Sequence, residues 1–394
     1  MVFAKIFFWT FAFIIFYAYI GYGILLYILI RIKRIISKKQ SESNVDEKYL
    51  PEITLFVTAY NECDFIQEKM QNSLSLNYPK EKVKHVWITD GSDDGTPEML
   101  KQFEGVEVYH QPERAGKIAA MNRGMAFVRT PIVIFSDGNT MLGKQSILRI
   151  VSLFNDPLVG CVSGEKRIFS KDTAAATEGV YWKYESTLKK WDAELYSVVG
   201  AAGELFALRT ELFKPVEQDT LLDDFIISLR IAEQGFKIQY DPEAYAIENP
   251  SASVKEELKR KIRISAGGIQ SIIRLKELLN PFRFGILSFQ YISHRVLRWT
   301  LAPLGLLIVL LTSFIIALAD GIFEFNHLFP WIFWGQVVLY LLALIGWILE
   351  EKHIKVKLLF IPYYFFIMNL AVYLGFFRYI RKQQTVKWER AKRG

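Results

Sequence analysis

Two adjacent carboxylates, Asp223 and Asp224, stand where a polar stretch turns into an apolar helix. Leu222, Phe225, Ile226, Leu229 and Ala232 recur there at three- and four-residue spacing, and Gly235 sits where such a helix ends. A carboxylate at a helix start can take a proton as a general base. It can equally cap the helix and complement its dipole, so the pair alone decides nothing. Ser136-Asp-Gly-Asn-Thr140 sets Asp137 and Asn139 one residue apart. Oxygen ligands at that spacing suit Mg²⁺ or Mn²⁺ bridged to phosphate oxygens, although Asp-Gly-Asn is also an ordinary turn. Asp90-Gly-Ser-Asp-Asp-Gly-Thr96 is acid-rich: it can accept hydrogen bonds from N–H and hydroxyl groups but repels phosphate. Its bland alternative is a turn followed by an N-cap. Arg114-Ala-Gly-Lys-Ile-Ala-Ala-Met-Asn-Arg-Gly124 joins a basic loop to a helix, and its cations and free backbone N–H groups suit an anion such as a diphosphate. A solvated basic turn has the same composition.

Groups so far apart in the chain need a scaffold that gathers them. From residue 53 to about residue 247, short β-rich runs (53–58, 83–89, 106–110, 131–136 and 158–163) alternate with amphipathic helical stretches such as 64–76, 117–128 and 145–154. That alternation predicts an α/β domain with a largely parallel, doubly wound sheet. Ligands of such sheets gather at the carboxyl ends of the strands. Thr58-Ala-Tyr-Asn-Glu62, the Asp90 loop and the Asp137 loop each directly follow a predicted strand, which makes them one site.

The ends of the chain read differently. Residues 6–30 form a 25-residue run without a charge, longer than the roughly 20 a membrane helix needs. Arg31, Lys33, Arg34, Lys38 and Lys39 follow and put that side in the cytoplasm, with a polar linker at 40–48. Residues 254–279 read as a basic helix and 281–298 as an interfacial helix lying on the membrane. Residues 299–319 and 328–349 are uncharged and long enough to span, and the acidic loop between them suits the outside. Residues 358–377 are also uncharged, but crossing would carry the basic tail 378–393 outside, and Pro362 and Asn369 interrupt them. A re-entrant or interfacial segment with a cytoplasmic C-terminus is expected. The predicted organisation is therefore a membrane helix and basic flank (1–39), a cytoplasmic domain (50–250), amphipathic helices (251–298), and membrane helices with a basic tail (299–394). The net charge of +7 lies largely beside the apolar spans, which points to headgroups and topology, not nucleic acid. Cys63 and Cys161 are too few for a disulfide framework, and a reducing compartment fits.

Taken in order, Thr-Ala-Tyr-Asn-Glu62, the Asp90 loop, Gly116-Lys-x-x-Ala-x-Asn122, Asp137-Gly-Asn and Asp223-Asp-Phe resemble the membrane-bound family 2 inverting glycosyltransferases. Within them the chain is similar to synthases of cellulose, hyaluronan and poly-β-1,6-N-acetylglucosamine, over residues 51–270. The resemblance implies a GT-A-type nucleotide-sugar-binding domain flanked by transmembrane and interfacial helices. It implies that Glu62 and Asp90, with Thr58 and Tyr60, hold the uracil and ribose of a UDP-sugar, and that Lys117 contacts the nucleotide or its diphosphate. Asp137 and Asn139 would ligate Mg²⁺ or Mn²⁺, with Asn139 standing where the family has a second Asp. Asp224 matches the general base, and Asp223 replaces the family's Glu. The family's Gln-x-x-Arg-Trp is Arg260-Lys-Ile-Arg-Ile264, in which Arg260 joins the nucleotide-sugar contacts and Arg263 neutralises the departing diphosphate. Residues 200–209 resemble the acceptor-side segment, and Lys387-Trp-Glu-Arg-Ala-Lys-Arg393 resembles a cytoplasmic gating loop.

The implied reaction moves a glucose- or N-acetylglucosamine-type sugar from the UDP-sugar to a polysaccharide or lipid-linked acceptor, at the cytoplasmic face of a bacterial inner membrane. Other glycan synthesis or export proteins are implied as partners. Processive polymer synthesis is a second reading, disfavoured by Ile264 in place of Trp and by the few spanning segments. A catalytically silent nucleotide-sugar-binding subunit is a third, fed by Asn139 and the same missing Trp. The stripe Tyr181, Tyr184, Leu188, Trp191 and Leu195 reads as packing, not sugar stacking.

Overall fold

The computed structural model describes residues 1–36, 50–168, 175–249, 254–351 and 356–383. Eight strands, β1 (Ile53–Ala59), β2 (Val83–Asp90), β3 (Val106–Gln111), β4 (Ile132–Asp137), β5 (Met141–Leu142), β6 (Val159–Ile168), β7 (Leu205–Arg209) and β8 (Lys237–Glu248), form one sheet in the order β3-β2-β1-β4-β7-β6-β8-β5. The half from β3 to β4 is parallel, as expected. Beyond β4 the sheet is mixed: β7 runs antiparallel to β4 and β6, β8 is parallel to β6, and β5 antiparallel to β8. The expectation of a largely parallel sheet therefore holds throughout only for the half from β3 to β4. The strands it overlooked supply the reversal.

Helices α1 (Val2–Ile36), α2 (Cys63–Leu74), α3 (Lys117–Gly124), α4 (Ser146–Leu153), α5 (Ala175–Leu195), α6 (Asp223–Glu233), α7 (Val254–Arg274), α8 (Leu301–Asp320), α9 (Leu328–Glu351) and α10 (Lys357–Ile380) surround and extend the sheet. Alternate residues of the strands face opposite layers. Phe56, Ile88 and Phe135 pack with Ile118 and Met121 of α3 and Phe225 and Leu229 of α6. Leu55, Val57, Trp87 and Ile134 pack with Ile66 and Met70 of α2 and Ile147, Ile150 and Val151 of α4. With both faces covered, the strands read as continuous apolar runs.

Among the described residues, four helices, α1, α8, α9 and the 361–380 part of α10, are long and apolar enough to cross a membrane. Their outward faces carry Phe7, Phe13, Leu307, Leu311, Ile315, Leu341 and Leu344 exposed, a surface that water does not favour. The length of α1 beyond a single span is used on the domain: Tyr22, Leu26 and Ile30 are buried against Leu188 of α5, with Tyr184, Trp191 and Leu195 beside them. From Tyr184 to Leu195 the stripe on α5 thus serves packing, against the apolar helix α1. Lys33 donates to the last carbonyls of α5, at Glu194 (2.6 Å) and Leu195 (2.9 Å), where the helix dipole welcomes a cation.

A buried polar joint completes the attachment. His294 Nδ1 lies 2.5 Å from Asp192 and its Nε2 3.3 Å from Glu185; Tyr22 bonds Asp192, and Arg298 bonds Glu185. Arg298 also donates to the Ala18 carbonyl at 2.9 Å, within the π-turn Tyr17–Gly21 of α1. Residues 281–298, expected as one helix lying on the membrane, instead break at Gly285 (φ +52) into a single turn, Pro281–Phe284, and a helix that starts at Ile286, runs through a π-turn to Trp299, and has Leu287, Tyr291 and His294 buried. The joint accounts for that burial: His294 meets the carboxylates of Asp192 and Glu185 inside. Asp192→Ala is expected to destabilise the protein by about 3–5 kcal/mol by orphaning buried partners. Thermal unfolding in detergent checks it, and an unchanged melting temperature would refute it.

Segment 358–377 is a single helix running through Pro362 and Asn369, so a re-entrant fold is not what forms. Near its start, Leu359 and Tyr363 pack on Gly346, toward the end of α9; near its finish, Tyr373 Oη donates to the Pro303 carbonyl in the first turn of α8 at 2.5 Å, and Gly375 abuts Ser265 and Ala266 of α7. Since α8 and α9 run antiparallel, with Gln336 donating to Ser313 at 2.9 Å, both ends of α10 lie at the domain-proximal end of the bundle.

Candidate active site

The four parallel strands end on one edge, and their loops stitch to one another. Asn61 (φ +53) exchanges hydrogen bonds with Asp93, its Nδ2 donating at 2.8 Å and its Oδ1 accepting the Asp93 N–H at 3.0 Å. Asp94 accepts from the N–H of Cys63 and of Thr96, both at 3.0 Å. Burial opposes the Asp94 charge, but these donors and the Thr96 hydroxyl outweigh it and hold the carboxyl below its usual range. Asp93 and Asp94 therefore fasten the start of α2.

Asp90, nearly buried at the end of β2, accepts the backbone N–H of Ala115 (3.0 Å) and Gly116 (2.6 Å) on Oδ2. Its Oδ1 lies 3.7 Å from Arg123. One oxygen of the residue expected at uracil and ribose thus anchors the basic loop. Gly91 (φ +71) makes the close approach possible, since a Cβ there would fall 2.5 Å from that of Arg114. The Arg114 guanidinium lies 3.6 Å over the ring of Tyr60, closing this end of the cleft. Thr58 is paired with Asp137 across β1 and β4. Glu62 is buried with its Cγ at 3.4 Å from where a Gly138 side chain would begin.

Anchored by Asp90, the basic loop delivers Lys117 to the centre. Its Nζ is 2.8 Å from Asp137 Oδ1 and 3.1 Å from Asp223 Oδ2. Burial works against that ammonium, but Asp137 and Asp223 prevail and keep it firmly charged. Asp224 lies beside this bridge. Burial and the neighbouring Asp223 push its carboxyl up to about 7, while Lys117 pulls the other way. A base in that range can both hold and release a proton near neutrality. Gly203 passes close by, where a Cβ would sit 3.1 Å from Asp224 Oδ2. Arg263 of α7 feels Asp223, Asp224 and Asp137 together, although burial is the larger influence and lowers its pKa.

The expected residues Asp137, Asp223, Asp224, Lys117 and Arg263 are thus brought together, with Asp90, Thr58, Tyr60 and Glu62 on the adjoining wall. Asn139 sits half-buried on the Asp137 turn. Arg260, one helical turn before Arg263, is held by Glu257 of its own helix through two hydrogen bonds, at 2.9 and 2.8 Å, and also feels Glu204, which in turn bears on Asp224. The motif's Asn122 is structural, pairing with both backbone groups of Val216. Residues 387–393, likened to a gating loop, lie outside the described residues. Sequence reasoning overlooked Lys166, which meets Glu204 at 2.5 Å and also Glu248. Against the cost of its burial, Lys166 brings Glu204 down to about 2. It also overlooked Lys69, although a lysine on the apolar stripe of α2 was a signal.

Asp137 and Asn139 offer hard oxygen donors, and among the described residues no group of three acidic, His or Cys side chains gathers to enclose a metal. That donor set fits Mg²⁺ or Mn²⁺, ions that keep much of their coordination for water and phosphate.

The mixed sheet, with its acidic loops on the parallel edge, defines a GT-A glycosyltransferase fold. Mannosyltransferase PcManGT from Pyrobaculum calidifontis, solved in complex with GDP-Man and Mn²⁺, superposes on 95% of this chain and 99% of its own with a TM-score of 0.67, at 21% identity. Residues 51–267 of the 394 match the family described as "Glycosyltransferase like family 2", and the chain belongs to that family of enzymes. It is 26% identical over 246 residues to poly-beta-1,6-N-acetyl-D-glucosamine synthase of Staphylococcus aureus, covering 60% of this chain and 58% of that protein. It is 22% identical over 245 residues to the probable glycosyltransferase YdaM of Bacillus subtilis, covering 58% and 57%. The matched region thus spans less than two thirds of either relative.

Proposed function

We propose that the chain is a membrane-anchored, inverting glycosyltransferase that moves a glucose- or N-acetylglucosamine-type sugar from a UDP-sugar to a polysaccharide or lipid-linked acceptor at the cytoplasmic face. The observation that carries this reading is the Lys117 bridge between Asp137 and Asp223 with Asp224 beside it, poised near 7. Asp137 and Asn139 would hold Mg²⁺ or Mn²⁺, which when bound supplies charge stabilisation to the departing diphosphate. Lys117 and Arg263 add fixed positive charge on the same side. Asp224 takes the proton of the acceptor hydroxyl as its oxygen bonds the anomeric carbon. The bond from that carbon to the diphosphate breaks in the same displacement, so an α-linked donor gives a β-linked product. The test is UDP release from a panel of UDP-sugars by purified protein with Mn²⁺. No release from any donor would leave the silent-subunit reading in its place.

Ile264 in place of the Trp, and the small number of crossing helices, favour limited transfer over long polymers; product length on a sizing gel separates the two. In this reading α1, α8 and α9 cross the bilayer, whereas α10 lies along its cytoplasmic face. Both of its ends meet the domain-proximal side, and the basic tail then stays inside. Gln383→Cys in a Cys63→Ser background should react with an impermeant maleimide only in inverted vesicles. Labelling from outside intact cells would put α10 across the membrane.

A further inference from the structure

The sheet order β4-β7-β6-β8 lays a second row of charges along the edge that carries Asp137. β7 enters that edge directly after Glu204, with Leu205 paired to Ser136, and β6 and β8 reach it near Lys166 and at Glu248. The nucleotide-side loops follow β1, β2 and β4, so Glu204, Lys166 and Glu248 lie on the other flank of the base. The segment before β7 is held in place: Ala201 N–H donates to Ser228 Oγ of α6 and Ala202 N–H to Ser163 Oγ of β6, both at 3.0 Å. Its Gly203 passes close to Asp224, and Asp224 feels the charge of Glu204.

Glu204 Oε1 meets Lys166 at 2.5 Å, and Lys166 also meets Glu248. One carboxylate neutralises a buried lysine, and Glu248, only 3% exposed, already supplies it. Glu204 is more open, with 17% of its side chain exposed, and no other described residue donates a hydrogen bond to its second oxygen. Burial opposes its charge, but Lys166 prevails and the carboxyl stays ionised at neutral pH. The cations at the start of α7 are engaged as well: Glu257 holds Arg260 at 2.8 Å and lies 3.6 Å from Lys261. This flank therefore offers a carboxylate oxygen to hydroxyl donors and confronts an anion with like charge. The base points the same way. A phosphate acceptor arrives already ionised and needs no base, whereas a hydroxyl must lose its proton as it reacts.

We propose that Glu204 selects the acceptor: its carboxylate, braced by Lys166 beside the base, takes a hydroxyl of a neutral sugar end and turns away an acceptor that ends in phosphate. The recipient is then a glycan or glycolipid terminus, not a lipid phosphate. This rests on the reading of Asp224 as the base of a sugar transfer. The test follows UDP release by the full chain with Mn²⁺, in a detergent without a sugar headgroup, using the UDP-sugar that turns over fastest. Chitotetraose, octyl N-acetyl-β-glucosaminide and farnesyl phosphate are added in turn. One or both sugar probes should accelerate release by wild type, chitotetraose marking a free glycan end and the octyl glycoside a glycolipid. Farnesyl phosphate should not. Glu204→Gln should raise the KM for the accelerating probe about tenfold while the donor KM stays within about twofold. Farnesyl phosphate should compete with that probe about tenfold better in the same variant. Glu204→Asp keeps the charge and shortens the reach, so it should raise the probe KM yet still reject the phosphate. It carries the test if Glu204→Gln melts early. An unchanged probe KM in both variants, a fall in kcat alone, acceleration of wild type by farnesyl phosphate, or UDP release that no probe accelerates would each overturn the proposal. Absence of UDP release with every donor would instead remove the reading of the cleft, and this inference with it.

Discussion

Asp224→Asn is expected to lower kcat by about 10²–10⁴-fold while UDP binding stays within a few-fold of wild type. The amide keeps the size and the hydrogen-bonding shape of the carboxylate but cannot take the acceptor's proton. Gly203 leaves little room for a larger replacement, so Asn is the informative choice. The carboxyl sits at about 7 against an ordinary 3.8 because burial and Asp223 disfavour its charge. The rate of wild type should therefore rise through that pH as the base form fills. Stability moves the opposite way. Between the two values the folded state holds a proton that the unfolded chain has released, so stability falls as pH rises from about 4 to 7. From the two printed values, the loss at pH 8 is on the order of a few kcal/mol. Asp224→Asn escapes it and should melt higher than wild type at pH 8, with the difference closing near pH 4. Full turnover in the variant would remove Asp224 from the mechanism. A melting temperature that tracks wild type at every pH would remove the account of its environment.

Much of this site was legible because its chemistry depends on residue types that sit directly after strands. Asp137 and the Asp90 loop follow apolar runs buried on both faces, and such runs are hard to read as anything but interior strands. The strands beyond β4 were harder. β8 alternates between buried and half-buried positions except at Asp241-Pro242-Glu243, where three polar or turn-forming residues in a row interrupt its period. β7 is five residues long and owes its direction to partners more than forty residues away in sequence. Local pattern says nothing of such pairing. The same limit hid the joint at His294, whose carboxylate partners are 102 and 109 positions distant. It also hid the duty of Asp90, which reads as a ligand-binding acid but spends an oxygen on the N–H groups of Ala115 and Gly116. The partner of Arg260 was legible for a simpler reason. Glu257 lies one helical turn before it, and i,i+3 pairs of opposite charge meet on a helix surface.

Lys117→Met should cost about 10²–10³-fold in kcat/KM, with the donor KM raised as well as kcat lowered. The methionine keeps the length of the side chain and its packing at the start of α3 but removes the charge that lies against Asp137 and Asp223 at 2.8 and 3.1 Å. Those two carboxylates then face each other with nothing between them, and a diphosphate entering the cleft meets net negative charge. A second consequence separates loss of charge from loss of shape. Lys117 is the largest influence that draws the Asp224 carboxyl down against burial and Asp223. Without it the carboxyl moves further up, and the rising limb of the pH–rate profile moves to higher pH with it. Saturating Mn²⁺ should restore part of the donor affinity, since a divalent ion at Asp137 offsets the same carboxylate. It should not return the limb to its wild-type position, because Asp223 would still lack its partner. A profile with the wild-type limb and a lower plateau would mean that Lys117 only shapes the loop, and that the coupling between the metal-side acid and the base does not exist.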